Sequence, residues 1–325
     1  MGFFRNLPQN LVDGLAIGSV YALFALGYTL IFSILRIVNF AHGAIFTIGA
    51  YFTYGLLGRQ FGGGNFPLSN SRLPLRLNFW VALVLSALLA GLLNLLVERL
   101  AFRPLRNRGA DTLLSLVSSL GVALMLSNLI QNLVGSDPLS APDPLPGARP
   151  SFEAGSIVLQ TTRILTFVVA VSVMGGLWFL LNRTRTGKAL KAVSEDPGTS
   201  SLLGISTNRL ILFTFVLCGC LGAVAGTMVS TNFGVTGPYM GSEYALIGLA
   251  VIVIGGLGDI PGAVLGGFLL GVLQTTVASL SFRIGFWDWT VNGSSWKDAV
   301  PFVALAVVLL VRPQGLLGRA QVQKV

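Results

Sequence analysis

Charge is the first thing this sequence lacks. Only 10% of its 325 residues are Asp, Glu, Lys or Arg, against about a quarter in an ordinary soluble domain. So little charge cannot cover a surface facing water. A hydrophobic share of 53% and a mean hydropathy of +0.78 suit a bilayer instead. Histidine occurs once, at His42, and neither G-x-S-x-G nor H-E-x-x-H occurs. A hydrolase therefore has no evident machinery, and no metal site is expected. The one Gly-Lys pair, Gly187-Lys188, is followed by Ala189 and has no glycine at the required distance upstream, so the chain is not its own P-loop ATPase. It has neither the arginine ladder of a voltage sensor nor a TVGYG filter. Cys218 and Cys220 sit two apart in an apolar run, on different helix faces, and read as packing residues.

What is abundant is apolar length. Runs at 11–35, 44–57, 78–97, 112–134, 164–181, 210–231, 243–255, 263–280 and 299–311 approach or exceed the roughly 20 residues that cross a bilayer. Forty glycines fit close-packed membrane helices. Gly14-x-x-x-Gly18, Gly222-x-x-x-Gly226 and Gly267-x-x-x-Gly271 mark possible packing faces. A loop with five prolines between 135 and 160 is too proline-rich for a helix. The expectation is an all-α polytopic membrane protein of about eight to ten spans, a single domain over 1–325.

The net charge of +9 sits in short loops between apolar runs, which fits membrane topology better than a nucleic-acid partner. Three clusters, at 98–111, 183–209 and 312–325, hold twelve of the 21 basic residues. Even numbers of spans separate them, so they share a face, and the positive-inside rule makes that face cytoplasmic. The same parity brings RIVNFAHG (36–43) and GGLGDIPG (255–262) to that side and puts the N-terminus outside. Arg59, Arg72 and Arg76, in a loop assigned outside, resist this count. A re-entrant junction, or a first segment that does not fully span, would change it to eight or ten and bring the N-terminus in. Trp287, Trp289 and Trp296 fall where interfacial aromatics are expected.

The 183–209 segment is the longest charged stretch, with five bases plus Glu195 and Asp196. Residues 188–193 are good helix formers, Asp196-Pro197-Gly198 turns the chain, and Gly204 is a natural stop for a second short helix. A helix–turn–helix knob, a handle for another protein, is one reading. An ordinary solvated loop is the other.

At this point the sequence resembles a family. TRTGKALKAVSEDPGTSSLLGI (184–205) is similar to the coupling loop of ABC importer permeases of the LivH/LivM branched-chain amino acid type. GLAIGSVYALFALGYTLIFSILRIVNFAHGAIFTIGAY (14–51) and IGGLGDIPGAVLGGFLLG (254–271) resemble two further segments of that family. NFAHG and ERLAFRPLR look LivH-like, and the likeness covers about residues 10–315. The resemblance implies the helical bundle of vitamin B12-type (type II) importers in a bacterial inner membrane. It also implies a second, LivM-like permease, two cytoplasmic P-loop ATPases and a periplasmic binding protein. ATP and Mg²⁺ would sit on the ATPases, with no cofactor on this chain. Gly187, Lys188, Glu195, Asp196 and Gly204 match the coupling motif. Glu195 and Asp196 would either cap the second helix or pair with an ATPase base.

Polar residues near membrane depth are candidates for the pathway, because burying them is expensive. Asn39 and His42 flank an interruption between two apolar runs. They either line a pathway or satisfy backbone groups freed at the break. Asn128 and Gln274 either serve the pathway or bond across helices. Asp259 reads as a turn residue ahead of Pro261, and Glu243 as the start of a helix. No acid or base lies in the middle of a clean span, which suits neutral or zwitterionic cargo. Branched-chain or other neutral amino acids are what the resemblance implies, with urea or short amides as rivals. An ion-coupled secondary transporter, lacking intramembrane carboxylates, is a more distant alternative.

Overall fold

A computed structural model describes residues 2–61, 67–68, 76–140, 142–145, 151–154, 157–235, 237–284 and 289–318. Arg72, Trp287 and the end of the basic tail, 319–325, lie outside the described residues. The long apolar helices are α1 (Gly2–Leu35), α2 (Ala41–Leu56), α3 (Phe79–Val97), α5 (Thr112–Val134), α6 (Thr161–Arg183), α9 (Thr207–Phe233), α10 (Met240–Gly255), α11 (Ile260–Ser279) and α12 (Val300–Val311). Six of them are long and apolar enough to cross a bilayer by themselves, and α2, α10 and α12 are shorter. The chain is a multi-pass helical membrane protein. α3 runs on through one π-helical turn, Glu98–Phe102, into α4 (Arg103–Asn107). Pro104, which has no N–H for the ladder, sits just past that turn. The handle forms α7 (Arg185–Glu195) and α8 (Pro197–Leu202).

Among the described residues, two antiparallel hairpins interrupt the helices. They are β1 (Ser151–Ala154) with β2 (Ile157–Gln160), and β3 (Ser281–Ile284) with β4 (Trp289–Asn292). The first closes the proline-rich loop and the second occupies the Trp-rich loop. Trp289 lies on β4, and Trp296 is exposed.

α1 and α9 form the centre, with 83% and 72% of their most apolar stretches buried, whereas α5 and α6 are peripheral at 22% and 28%. The glycine motifs explain how helices come this close. Gly14 and Gly18 of α1 face Gly267 and Gly271 of α11. A Cβ on Gly18 would lie 2.9 Å from the Gly267 carbonyl oxygen, and one on Gly271 would strike Gly18 itself. The two motifs are halves of one interface. The α9 motif meets α2, with Gly226 against the Phe46 backbone and Gly222 against the His42 ring. Small residues let backbones meet where apolar side chains have no hydrophobic drive against lipid.

Two faces follow from the contacts at the helix ends. On one face, the end of α1 meets the handle through Arg36, and Arg106 of the 98–111 cluster meets Asn208. The 312–318 tail is bonded there to the end of α10, with Leu316 and Leu317 N–H donating to Ile254 and Gly255 carbonyls. On the opposite face, Gln9 of α1 bonds the Val158 backbone of β2 in both directions. Asp13 pairs with Arg163 there, and Leu139 bridges Val235. The basic clusters therefore share a face, as the parity count requires, and α1 runs from one face to the other. Arg59 is placed with the loop opposite, beside Ser140.

The junction after α1 departs from a simple hairpin. Arg36 takes a left-handed φ of +55°, and residues 37–39, without regular secondary structure, lead back into the bundle, where Ile37 and Asn39 are buried. Phe40 N–H donates to Ser119 Oγ of α5 (3.2 Å). His42 Nε2 lies 3.2 Å from the Phe24 carbonyl oxygen, eleven residues or about 16 Å of helix before the end of α1. α2 thus starts deep in the bundle, and its N-terminal end meets that of α10, where Gly241 N–H donates to Thr47 Oγ1 (2.8 Å). The break ends at Phe40, and His42, expected to flank it, is the second residue of α2.

Candidate functional site

The handle is built from local turn chemistry. Thr184 N-caps α7, accepting from Gly187 N–H (3.1 Å) and donating to the Leu180 carbonyl (2.6 Å). Gly187 lies hard against the Leu180 and Leu181 backbone, where no side chain fits. Leu190 and Val193 turn into the bundle and are buried, so α7 is seated on α6, α1 and α9. Arg36 Nη2 reaches the Ser194 carbonyl at 3.4 Å, and Lys191 Nζ donates to Asn182 Oδ1 (2.7 Å).

Asp196 then ends one helix and begins the next. Its Oδ1 accepts from Gly198 N–H (2.8 Å) and Thr199 N–H (3.1 Å), and its Oδ2 accepts from the Thr199 hydroxyl (2.5 Å). The Thr199 hydroxyl, then the Thr199 and Gly198 N–H groups, hold its carboxyl below the ordinary value. Pro197 occupies the first helical position, where its missing N–H costs nothing. Gly204 closes α8 at φ +83°, with N–H to the Ser201 carbonyl (3.1 Å). Of the coupling-motif residues, Gly187, Asp196 and Gly204 shape the knob, while Lys188 and Glu195 are exposed on it.

The remaining candidates are dispersed. Asn39 and His42 are wholly buried. Asn39 Oδ1 accepts from Ala41 N–H (3.1 Å) at the start of α2, and His42 fills the slot left by Gly27 and Gly222, beside the Phe24 and Tyr28 rings. Among the described residues, Asn39 Nδ2 and His42 Nδ1 have no hydrogen-bond partner. Gln274 accepts from the Tyr21 hydroxyl (2.5 Å), joining α11 to α1. Asn128 is exposed and lies 3.1 Å from the Tyr239 hydroxyl, which is equally close to Gln131 and can donate to one of them at a time. These four do not converge on one site. Asp259 caps α11 through Gly262 N–H (2.8 Å), and Glu243 lies in the first turn of α10.

Composition had counted Glu98 only as part of a charged loop. It is wholly buried and pairs with Arg106 at 3.0 Å; Arg106 also reaches Asn208 at the head of α9 (3.4 Å). This pair ties the end of α3 to the helix that leaves the handle. Its signal was present: an acid directly after an apolar run, eight residues ahead of an arginine. The handle also exposes two adjacent leucines, Leu202 and Leu203.

Comparison with known proteins matches residues 10–309 to the family described as the branched-chain amino acid transport system permease component. The chain is 36% identical to the high-affinity branched-chain amino acid transport system permease protein BraD of Pseudomonas aeruginosa, over 98% of this chain and 97% of that one. It is 33% identical to LivH of Escherichia coli, over 99% of each chain. PsaBC from Streptococcus pneumoniae in complex with Fab shows a looser likeness, 12% identical over 96% of each chain with a TM-score of 0.44.

Proposed function

The chain belongs to the family of branched-chain amino acid transport permeases, and from that premise we propose that it is the membrane subunit of an ATP-driven importer of branched-chain amino acids. The match along nearly the whole chain carries this reading, and the one-sided handle supports it. Energy enters from other chains. Two cytoplasmic P-loop ATPases hold ATP and Mg²⁺, the 183–209 handle docks in a groove of one of them, and this chain binds no cofactor. A second homologous permease completes the pathway, and a periplasmic binding protein delivers cargo at the face carrying Gln9 and β2. The vitamin B12-type arrangement of the bundle is part of the proposal, as is a bacterial inner membrane with the C-terminus in the cytoplasm.

The handle's construction favours rigid transmission. α7 is clamped to α6 by Thr184 and Gly187, to α1 by Arg36, and leads through α8 directly into α9. A displacement of the knob therefore moves three spanning helices together, as rigid-body switching requires. Cargo without net charge fits spans whose charged residues lie near their ends. The ion pairs among the described residues are Asp13–Arg163 on one face and Glu98–Arg106 on the other.

The test is reconstitution. Purified permease pair, ATPases and binding protein in proteoliposomes are expected to accumulate labelled leucine, isoleucine or valine only with ATP inside the cytoplasmic-side compartment. Uptake of urea or acetamide in preference would retain the machinery and change the cargo. Uptake driven by an ion gradient without ATP would sink the assignment.

A further inference from the structure

Much of the handle is committed to its own architecture, its charged side chains face outward, and one pair of large apolar side chains stands exposed among them. Leu202 and Leu203 close α8 just before Gly204 and are 88% and 77% exposed. Exposed leucines on the spanning helices face lipid and need no explanation. Two adjacent ones on a charged, water-facing knob do. The scaffold beneath them is fixed by the Asp196 cap, by buried Ser200 and by the Gly204 stop, so burying the pair against a partner orders little that is not already ordered. The charges of the segment are five bases against Glu195 and Asp196, net +3, and Asp196 is turned onto its own helix N-terminus.

We propose that Leu202 and Leu203 are the anchor by which the handle seats in an ATPase subunit, entering an apolar pocket with an acidic border. This rests on the reading that the handle meets an ATPase, and within the 184–205 segment it assigns the contact to two residues other than Gly187, Lys188, Glu195, Asp196 and Gly204. Gly187, Asp196 and Gly204 present the anchor; the leucines make the contact, and Lys188 with its neighbouring bases orients the approach. The bilayer surface is the rival occupant. An interfacial helix needs an apolar face extended over several turns, and Pro197–Leu202 is a single six-residue helix containing Thr199, Ser200 and Ser201.

The experiment co-expresses tagged permease with the P-loop ATPase subunits of its own transport system and measures ATPase retained per permease after detergent purification. Leu202→Ser with Leu203→Ser is expected to lower retention at least about tenfold, from the lost burial of two leucines, while the variant still elutes as a monodisperse membrane protein. A bimane probe on Leu202→Cys is expected to shift to the blue when ATPase is added. Retention equal to the unsubstituted protein overturns the anchor and leaves the ATPase reading standing. No ATPase retained by the unsubstituted protein overturns both. Bimane quenched by brominated lipid and unmoved by ATPase overturns the anchor and places the pair in the bilayer.

Discussion

At residue scale, similar charges have different jobs according to their partners. Asp196 works through three donors on its own turn. Asparagine keeps an acceptor at the same place and is a strong N-cap, whereas alanine removes it. Asp196→Asn should therefore keep most uptake, and Asp196→Ala should lose it several-fold, with faster hydrogen exchange in α8. Its carboxyl is held below the ordinary 3.8, so the cap's contribution is complete above that value and is lost as pH falls through the lowered one. Protection of α8 should be flat from about pH 5 to pH 8. Glu98 and Arg106 make an asymmetric pair, because the Glu98 side chain is fully buried and the Arg106 side chain is 27% exposed. Arg106→Ala strands a buried charge and should cost about 3–5 kcal/mol. Glu98→Gln leaves the cation its partial exposure and should cost under about 2 kcal/mol. Melting followed by fluorescence-detected chromatography measures both, and an equal loss would mean that burial is not what sets the cost.

At element scale, glycines divide by what faces them. Gly271 lies against the Gly18 and Gly14 backbone, while Gly121 on α5 and Gly175 on α6 have nothing among the described residues within 4 Å of where a Cβ would stand. Gly271→Val should separate α1 from α11 and sharply reduce folded yield. Gly121→Ala and Gly175→Ala should be neutral or stabilising by up to about 1 kcal/mol, since alanine is the better helix former. Loss of folding in the α5 and α6 variants would show that those open faces are occupied in the assembled transporter. The spacing of Gly14-x-x-x-Gly18 and Gly267-x-x-x-Gly271 was legible as two candidate packing faces. Their mutual pairing was not, because spacing describes one helix and pairing involves two that are far apart in the chain.

At the scale of the whole molecule, the two faces make a direct prediction. With the native cysteines replaced, single cysteines at Arg108, Leu202 and Gln314 should label with an impermeant maleimide from the cytoplasmic side alone. Cysteines at Ser140 and Val158 should label from the opposite side alone. Labelling of Leu202 and Val158 from the same side would break the topology. Most of this layout follows from counting spans. The dip of residues 36–40 into the bundle does not, since a short polar stretch between two apolar runs reads equally well as a surface turn. Only the Phe40–Ser119 and His42–Phe24 contacts place it inside.

The sequence by itself determined membrane embedding, the approximate number of spans, the common face of the basic clusters, the two-helix handle and the family. These depend on apolar length, loop charge and turn chemistry, which belong to each segment whatever its neighbours. Tertiary structure alone decided which helix faces meet, that Glu98 is buried and paired, and which handle residues shape the knob while Leu202 and Leu203 stand clear of it. The reason lies in the solvent. Lipid tails are as apolar as leucine, so a spanning helix has no polar face to show which side turns inward, and that direction is fixed only when the helices close against one another.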